Sequence, residues 1–351
     1  MKKINLEISR DPISYDIIID NDLIANLNNF IISSNQYSRI VVIHDSIIDI
    51  SLIEELTKIF NNSISIPIDL TNNNKKSIDQ FVFLQEQLIN HNIDKNVLVI
   101  SIGGGSIGDL VGFVASTYHR GVDYIQVPTS LLSMIDSSIG GKTGLDLERG
   151  KNLIGSFYHP KAVFINTNFL KTLNKQEITS GIFEAIKYGI ACDNDFFYFI
   201  QNNIDHLYEE EALYNIIEWC CRIKTDIIIK DEKDGNIRNK LNFGHTIGHP
   251  IESIYGIRHG EAVALGMLFA TKLSRNMNTI NNEESSRIVN LINHFDIPIF
   301  SIDIDQILNK LNKDKKRINS KNNFILLNGI GSSYISNDVK INQIKEVLLD
   351  L

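Results

Sequence analysis

The chain has 351 residues, 43% hydrophobic and 22% charged. That is enough for about two domains at ~150 residues each, and for a core that folds without disulfides or a structural metal. Lys and Arg total 34 against 42 Asp and Glu, a net charge of -8. This excludes the basic field of a nucleic-acid binder, and the hydrophobic fraction excludes a disordered chain. No run approaches the ~20 apolar residues of a membrane span, and Met1–Glu7 has no signal-peptide core. The chain is therefore expected in the cytoplasm, away from membranes.

Arg39–Ile43 reads as a buried strand ending at His44-Asp45-Ser46, and Ser51–Phe60 then has helical spacing. Ile64–Ile68 is a second short strand. Ser77–Asn90 reads as a helix with apolar Ile78, Phe81, Val82, Leu84, Leu88 and Ile89. Asn96–Ile102 is the clearest strand and runs into Gly103-Gly104-Gly105. Strands alternating with helices predict a parallel sheet covered by helices. From about Thr172 long amphipathic segments take over: Glu177–Ile190, Glu210–Lys230, Gly260–Asn276 and Glu283–His294, with one late strand at Asn323–Leu327. The expected architecture is an α/β Rossmann-like domain over residues 1–160 and a mainly helical domain over 161–351. Asn72–Lys76 and Lys313–Asn323 read as solvated loops. Cys192, Cys220 and Cys221 lack CxxC spacing, so thiolate zinc is not expected, and buried thiols in a reducing compartment are.

Three stretches carry chemistry. Ile102–Asp109 is a glycine turn between a strand and an apolar helix, where close backbone approach and helix N–H groups suit a nucleotide or phosphate. Asp136–Gly144, followed by Gly150-Lys151-Asn152, fails the GxxxxGK[ST] pattern because Asp136 stands where the first Gly belongs. Its lysines and Asn among glycines still suit an anion. His245 and His249 lie four apart on one helical face, and His259-Gly260-Glu261 follows ten residues later. Three imidazoles within this span are a credible zinc cluster, though not HExxH. Spacing alone nominates His245 and His249, with a carboxylate from elsewhere such as Glu184. Glu184 sits among apolar neighbours, although a surface i,i+3 ion pair with Lys187 is the plain alternative. The bases Arg120, Lys142, Lys151, Lys187, Lys224, Arg238 and Lys315 cluster near these motifs in an acidic chain, which suits a small, multiply charged anion.

With these residues assembled, the chain resembles the 3-dehydroquinate synthase family of the shikimate pathway. The resemblance is carried by GGGSIGDLVGFVASTYHRG, IQVPTSLLSMIDSSIGGKTG, GKNLIGSFYHP, GIFEAIKYG, RNKLNFGHTIGH, HGEAVALGM and NKDKK, in that order across residues 97–317. It implies an N-terminal NAD domain joined to a helical domain, with the site between them. One divalent ion, zinc or cobalt, would be held by Glu184, His245 and His259, with His249 a nearby proton-handling residue. NAD would meet Asp45, Lys76, Gly103, Gly104, Gly105, Ser106, Ile107, Gly108, Asp109, Thr129, Ser130, Lys142, Lys151, Phe169, Leu170, Lys171 and Thr172. The substrate, 3-deoxy-arabino-heptulosonate 7-phosphate, would meet Asp136, Lys142, Asn152, Lys187, Lys224, Arg238, Asn242, His249 and Lys315. Arg120 resembles the arginine that reaches a neighbouring subunit's site, which implies a homodimer.

The implied reaction is a phosphate-eliminating cyclisation in which NAD is reduced and reoxidised, a carbon–oxygen lyase of aromatic amino acid biosynthesis. The chain departs from the family pattern in five places. Thr71–Lys75 replaces an acidic turn, Ser106 an apolar residue and Ser130 a threonine; Asn174 replaces a proline and Pro250 an alanine. Three other readings compete: a sister cyclase making an inosose or valiolone, a metal-dependent polyol dehydrogenase that would release NADH, and a catalytically dead nucleotide-binding protein. Arg238 and Lys224 as carboxylate partners, the phosphate-suited lysines, and retention of Glu184, His245, His259 and Lys187 weigh against each in turn.

Overall fold

A computed structural model describes residues 5, 12–34, 37–60, 62–70, 76–147, 150–298, 301–318 and 323–350, without the side chains of 59 and 312–318. The N-terminal part alternates strand and helix: β1 (Asp16–Ile19), α1 (Leu23–Ser34), β2 (Arg39–Asp45), α2 (Ile50–Ile59), β3 (Ser63–Ile68), α3 (Ile78–Asn90), β4 (Val97–Gly103), α4 (Gly105–Thr117) and β5 (Asp123–Pro128). After β6 (Lys142–Leu147) and β7 (Gly150–Phe157), β8 (Ala162–Ile165) enters the sheet between β1 and β5. Its strand order is β1-β8-β5-β4-β2-β3, and the β1–β8, β8–β5, β4–β2 and β2–β3 pairings are parallel. Every residue of β4 is buried, as expected of an apolar strand covered on both faces. β2, α2, β3, α3 and β4 are observed within one or two residues of their expected ends, whereas α4 begins at Gly105, inside the stretch read as a glycine turn. The helix over Ser77–Asn90 begins after Ser77, whose hydroxyl accepts from Gln80 N–H and caps it.

Residues 136–157 differ from expectation. No regular element is expected there from the sequence, yet they comprise a π-helical turn, Ser133–Ser137, and the antiparallel ribbon β6–β7, with Lys142 opposite Phe157 and Thr143 opposite Ser156. Glycine content hid the strand. Gly144 and Gly155 face each other so closely that a Cβ on Gly155 would stand 2.0 Å from the Thr143 carbonyl oxygen. The glycines allow the two backbones to approach.

The remainder is helical: α5 (Lys175–Ala191), α6 (Asn194–Asn202), α7 (Glu210–Lys230), α8 (His245–Tyr255), α9 (His259–Asn276), α10 (Asn282–Asn293) and α11 (Ile304–Ile318). The ribbon β9 (Phe324–Gly329) and β10 (Ser332–Ser336) follows, then α12 (Ile341–Leu349). Asn174, in place of a proline, caps α5 by accepting from Glu177 N–H at 2.9 Å. The chain forms two compact units. The first holds the chain up to Ile102 with Asp109–Val127 and Gly141–Ile165; the second holds Gly103–Gly108, Pro128–Gly140 and the chain from Asn166. A single division at residue 160 has no counterpart to the two short segments grouped with the helices. Ser133–Ser137 belongs there because it packs on α7 and α5. Among the described residues, no helix is long and apolar enough to cross a membrane.

Candidate active site

In the second unit, α9 is the central helix, packed by α5, α8, α10 and α12. Two glycines set the distances. Gly260 N–H donates to Ser180 Oγ at 3.1 Å, and a Cβ there would meet Ser180 Cα at 2.5 Å. At Gly266 a Cβ would lie 1.8 Å from the Gly244 carbonyl oxygen. Bulkier residues would push α5 and α8 away from α9. Close packing brings Glu184 of α5, His245 at the start of α8 and His259 at the start of α9 together, with one potential ligand atom of each within 4.8 Å of the others.

Glu184 is 0% exposed, and neither of its oxygens has a hydrogen bond of good geometry. His259 Nε2 lies 3.3 Å and His245 Nε2 3.6 Å from Oε1, and the Lys187 ammonium pairs with Oε2. The surface ion pair envisaged for Glu184 and Lys187 is thus an ion pair, but a buried one, because α5 is covered by its neighbours. Burial alone would raise the Glu184 carboxyl, but Lys187, His245 and His259 outweigh it and hold the group well below the usual carboxylate range. Burial pushes His245 down to about 3 in the metal-free protein. It also opposes the charged form of His259, but the Glu184 and Glu252 carboxylates beside its two ring nitrogens lift that ring to about 9. Each ring has a partner at Nδ1: the Phe243 carbonyl at 3.1 Å for His245 and Glu252 Oε2 at 3.1 Å for His259.

These donors fit a divalent ion. A buried carboxylate oxygen without a donor faces two Nε2 atoms whose other nitrogens are engaged, the geometry of neutral imidazole ligands. His245 and His249 do share a face, with ring centroids 4.9 Å apart, but the residues gathered around Glu184 are His245 and His259. His249 is exposed and groups with Glu252 and His259. Pro250 lies past the first turn of α8, where it removes an N–H donor, yet α8 runs through it to Tyr255.

Beside this group is a cluster of bases. Lys224 (4% exposed) donates to both the backbone oxygen and Oδ1 of Asp136, and the Tyr188 hydroxyl donates to the same Oδ1 at 2.6 Å. Burial would raise Asp136, but Lys224 and Lys187 hold it below its ordinary value. Burial pulls Lys224 down despite Asp136. Burial would also lower Lys187, but Glu184 and Asp136 raise it. Arg238, 3% exposed, donates to the Gly140 carbonyl at 3.1 Å and to the Glu232 carbonyl at 2.5 Å. Asn242 Nδ2 lies 3.5 Å from Asn239 Oδ1. The structure thus assembles Asp136, Lys187, Lys224 and the three metal candidates. The Lys315 side chain lies outside the described residues. Sequence reasoning missed Tyr188 and Glu252. The signal for Glu252 was its place seven residues after His245, which continues the His245–His249 face.

The glycine stretch does join a strand to an apolar helix, but the connection is shorter than expected: β4 ends at Gly103 and α4 begins at Gly105. A Cβ on Gly104 would meet only Ser130 Oγ, at 3.7 Å, so the turn leaves room beside the helix N-terminus for a ligand. Thr129 N–H donates to the Gly103 carbonyl at 3.0 Å, placing Thr129 and Ser130 against the turn. A Cβ on Gly105 would stand 2.6 Å from Ser137 Oγ, a buried hydroxyl without a hydrogen-bond partner. Open space, backbone N–H groups and a free hydroxyl fit a nucleotide phosphate. Phe169, Leu170, Lys171 and Thr172 form a short 3-10 turn in which Lys171 pairs with Glu210 at 3.3 Å.

In the first unit, buried Lys76 joins three candidates or their neighbours. Its Nζ donates to Asp109 Oδ2 and to Asn152 Oδ1, both at 2.5 Å, and stands 3.9 Å from Asp146 Oδ1. Asp146 in turn accepts from Asn152 N–H at 3.0 Å. Asp45 ends β2, and burial raises its carboxyl. Lys142 and Lys151 lie exposed on the β6–β7 ribbon, and Arg120 is exposed with φ +66°. Thr71–Lys75, where the acidic turn is replaced, lies outside the described residues.

Residues 68–180 match the family model described as 3-dehydroquinate synthase N-terminal, and residues 181–317 match its C-terminal counterpart. The chain belongs to the 3-dehydroquinate synthase family. A 3-dehydroquinate synthase from Colwellia psychrerythraea is 38% identical, covering 99% of this chain and 100% of that one. One from Thermoanaerobacter pseudethanolicus is 39% identical over 95% and 97%. Among solved structures, a 2-deoxy-scyllo-inosose synthase complexed with carbaglucose-6-phosphate, NAD+ and Co2+ is similar at TM-score 0.85 and 27% identity, covering 95% and 96%. A 2-epi-5-epi-valiolone synthase from Streptomyces hygroscopicus, with NAD+ and Zn2+ bound, shares the fold at TM-score 0.88 and 22% identity, covering 98% of each chain. The family joins the two halves of the chain at residue 180/181, inside α5, which therefore carries one unbroken helix across the junction.

Proposed function

We propose that this protein converts 3-deoxy-D-arabino-heptulosonate 7-phosphate to 3-dehydroquinate and phosphate, as an NAD- and metal-dependent lyase of the cytoplasm acting as a homodimer. The observation that carries this reading is the buried Glu184 carboxylate facing Nε2 of both His245 and His259, beside two buried lysines and Asp136. Glu184, His245 and His259 would hold the divalent ion, zinc or cobalt, which acts as a Lewis acid on substrate hydroxyls when bound. The turn Gly103–Gly108, with Asp45, Lys76, Asp109, Thr129, Ser130, Lys142, Lys151 and Phe169–Thr172, would hold NAD, which supplies hydride exchange at one carbon.

The chain's own groups do the rest. Lys187, Lys224 and Arg238 are buried cations held in fixed geometry, suited to the carboxylate and phosphate of the substrate, with Lys142, Asn152, Asn242 and Lys315 as further contacts. Asp136 keeps two of these cations charged and in place before substrate arrives, so little reorganisation is needed on binding. His249, the exposed member of the imidazole cluster, would hand a proton to or from solvent. Arg120 would serve the neighbouring subunit's site. The sister-cyclase alternative is disfavoured: relatives of the 3-dehydroquinate synthase type reach 38–39% identity over nearly the full chain, against 22–27% for the solved sister enzymes.

The test is to incubate the protein with NAD+, zinc or cobalt and the heptulosonate phosphate, following phosphate and NADH absorbance together. Phosphate release without lasting NADH is expected. Lasting NADH would indicate a dehydrogenase, and no phosphate would sink the proposal.

A further inference from the structure

His259 stands between two carboxylates. Its Nε2 is 3.3 Å from Glu184 Oε1 and its Nδ1 is 3.1 Å from Glu252 Oε2. A neutral imidazole carries one proton, so Nε2 can offer a lone pair to a metal only when that proton sits on Nδ1. Whatever accepts from Nδ1 therefore fixes both the tautomer and the plane of the ring. For His245 that acceptor is a neutral carbonyl; for His259 it is a carboxylate.

We propose that Glu252 is a positioning residue for the metal group, holding His259 with Nδ1–H on its own carboxylate and Nε2 turned to Glu184. The inference rests on the reading of Glu184, His245 and His259 as the ligands. The fold explains why Glu252 has this task. His245, His249 and Glu252 lie at i, i+4 and i+7 on α8, one face of the helix. The three-residue link Gly256–Arg258, opened by Gly256 at φ +65°, returns the chain so that the first residue of α9 meets that face. Glu252 is 15% exposed in its side chain, so its contact with His259 is shielded from bulk water. Its negative charge also makes His259 the stronger donor of the two rings.

A second arrangement uses the same atoms: His249, Glu252 and His259 also bring ligand atoms within 4.8 Å. It would take the Nδ1 side of His259 and an exposed His249, and it would leave the buried Glu184 oxygen unused. The geometry favours Glu252 behind the ring and the ion in front of it.

The experiment measures zinc affinity of the full chain by competition with a chromophoric chelator, and the visible spectrum after cobalt loading. Glu252→Ala should weaken zinc by roughly 10–100-fold and shift the cobalt bands. Glu252→Gln keeps the shape but not the charge; it should lose about tenfold, within that same range, and it decides the matter if the alanine variant folds poorly. Glu252→Asp should recover part of the loss, while Glu184→Ala and His259→Ala should abolish binding. Wild-type affinity and spectrum in Glu252→Gln, with Glu184→Ala and His259→Ala dead to zinc, would overturn the role of Glu252 and leave the ligand reading standing. Zinc retained by Glu184→Ala and His259→Ala would overturn that reading itself. A loss in His249→Ala as large as in Glu252→Ala would place the ion in the second arrangement and overturn the positioning role.

Discussion

Lys187 and Glu184 form an ion pair one turn apart on α5, with 2% and 0% of their side chains exposed. Two charges removed from water are tolerable only together, so each makes the other's burial possible. The same carboxylate faces His245 and His259, so the charge that Lys187 balances in the metal-free protein is also the charge offered to a cation.

Removing Lys187 should therefore be costly without metal and less so with it. Lys187→Ala is expected to lose about 3–5 kcal/mol of stability in the metal-free protein, the usual cost of stranding one member of a buried pair. Saturating zinc should recover part of this by supplying the missing positive charge. Urea unfolding with and without zinc checks both; equal losses in the two conditions would contradict the shared-charge account.

Tyr188→Phe should cost about 1.5–3 kcal/mol, the range for a hydrogen bond to a charged group. The phenol is buried and donates to Asp136 Oδ1, and burial together with Asp136 keeps it protonated. Zinc affinity should not change, because Tyr188 touches none of the proposed ligands. The rate of phosphate release should fall, because Asp136 would be held by Lys224 alone. A variant matching the parent in stability and rate would remove Tyr188 from the site.

The Asp136 carboxyl gives a pH signature. Burial raises it, but Lys224 and Lys187 bring it below its ordinary value. A carboxyl depressed on folding contributes stability that is complete above its unfolded pKa, about 3.9. That contribution is lost as pH falls through the folded value. Asp136→Asn should accordingly be less stable than the parent at neutral pH, and the gap should narrow on acidification below about pH 4. Denaturant midpoints across that range decide it; a gap constant with pH would assign the effect to shape rather than charge.

Asn152 has φ +56° and is held from two sides, by Lys76 Nζ on its side chain and by Asp146 on its N–H. Asn152→Ala should cost about 1–2 kcal/mol from the left-handed backbone alone and should loosen the ribbon. Asn152→Gly relieves the backbone and loses only the Lys76 contact. Hydrogen exchange along β6–β7 should rise more in the alanine variant than in the glycine one, and the reverse order would contradict the strain account.

The parallel sheet was legible because β2, β3 and β4 are short apolar runs between turn residues, and the long helices because their apolar residues recur at helical spacing. The histidine cluster was legible for the same reason, since i,i+4 spacing on one helix survives folding unchanged. Which histidines face Glu184 was not legible from spacing, because that depends on how closely α5, α8 and α9 pack at Gly260 and Gly266. The family resemblance supplied it instead. Tyr188 went unread because its partner lies 52 positions away, and no local pattern marks a hydrogen bond of that span. The β6–β7 ribbon was missed because its glycines look like loop chemistry, and only the paired strand reveals that they serve close approach.

The segment Pro128–Gly140 belongs with the helices although it precedes them by a whole strand and a ribbon. It supplies Asp136, whose backbone oxygen and Oδ1 both accept from the Lys224 ammonium and whose charge also acts on Lys187. A fragment beginning after β8 would thus inherit two buried cations and one carboxylate. The helical half is not a portable module: severed at the point where the chain looks divisible, it would carry an uncompensated charge in its own interior. Thirteen residues that lie before β8 in the chain complete the helical unit, which makes the gene a poor candidate for clean splitting or for exchange of halves with a relative.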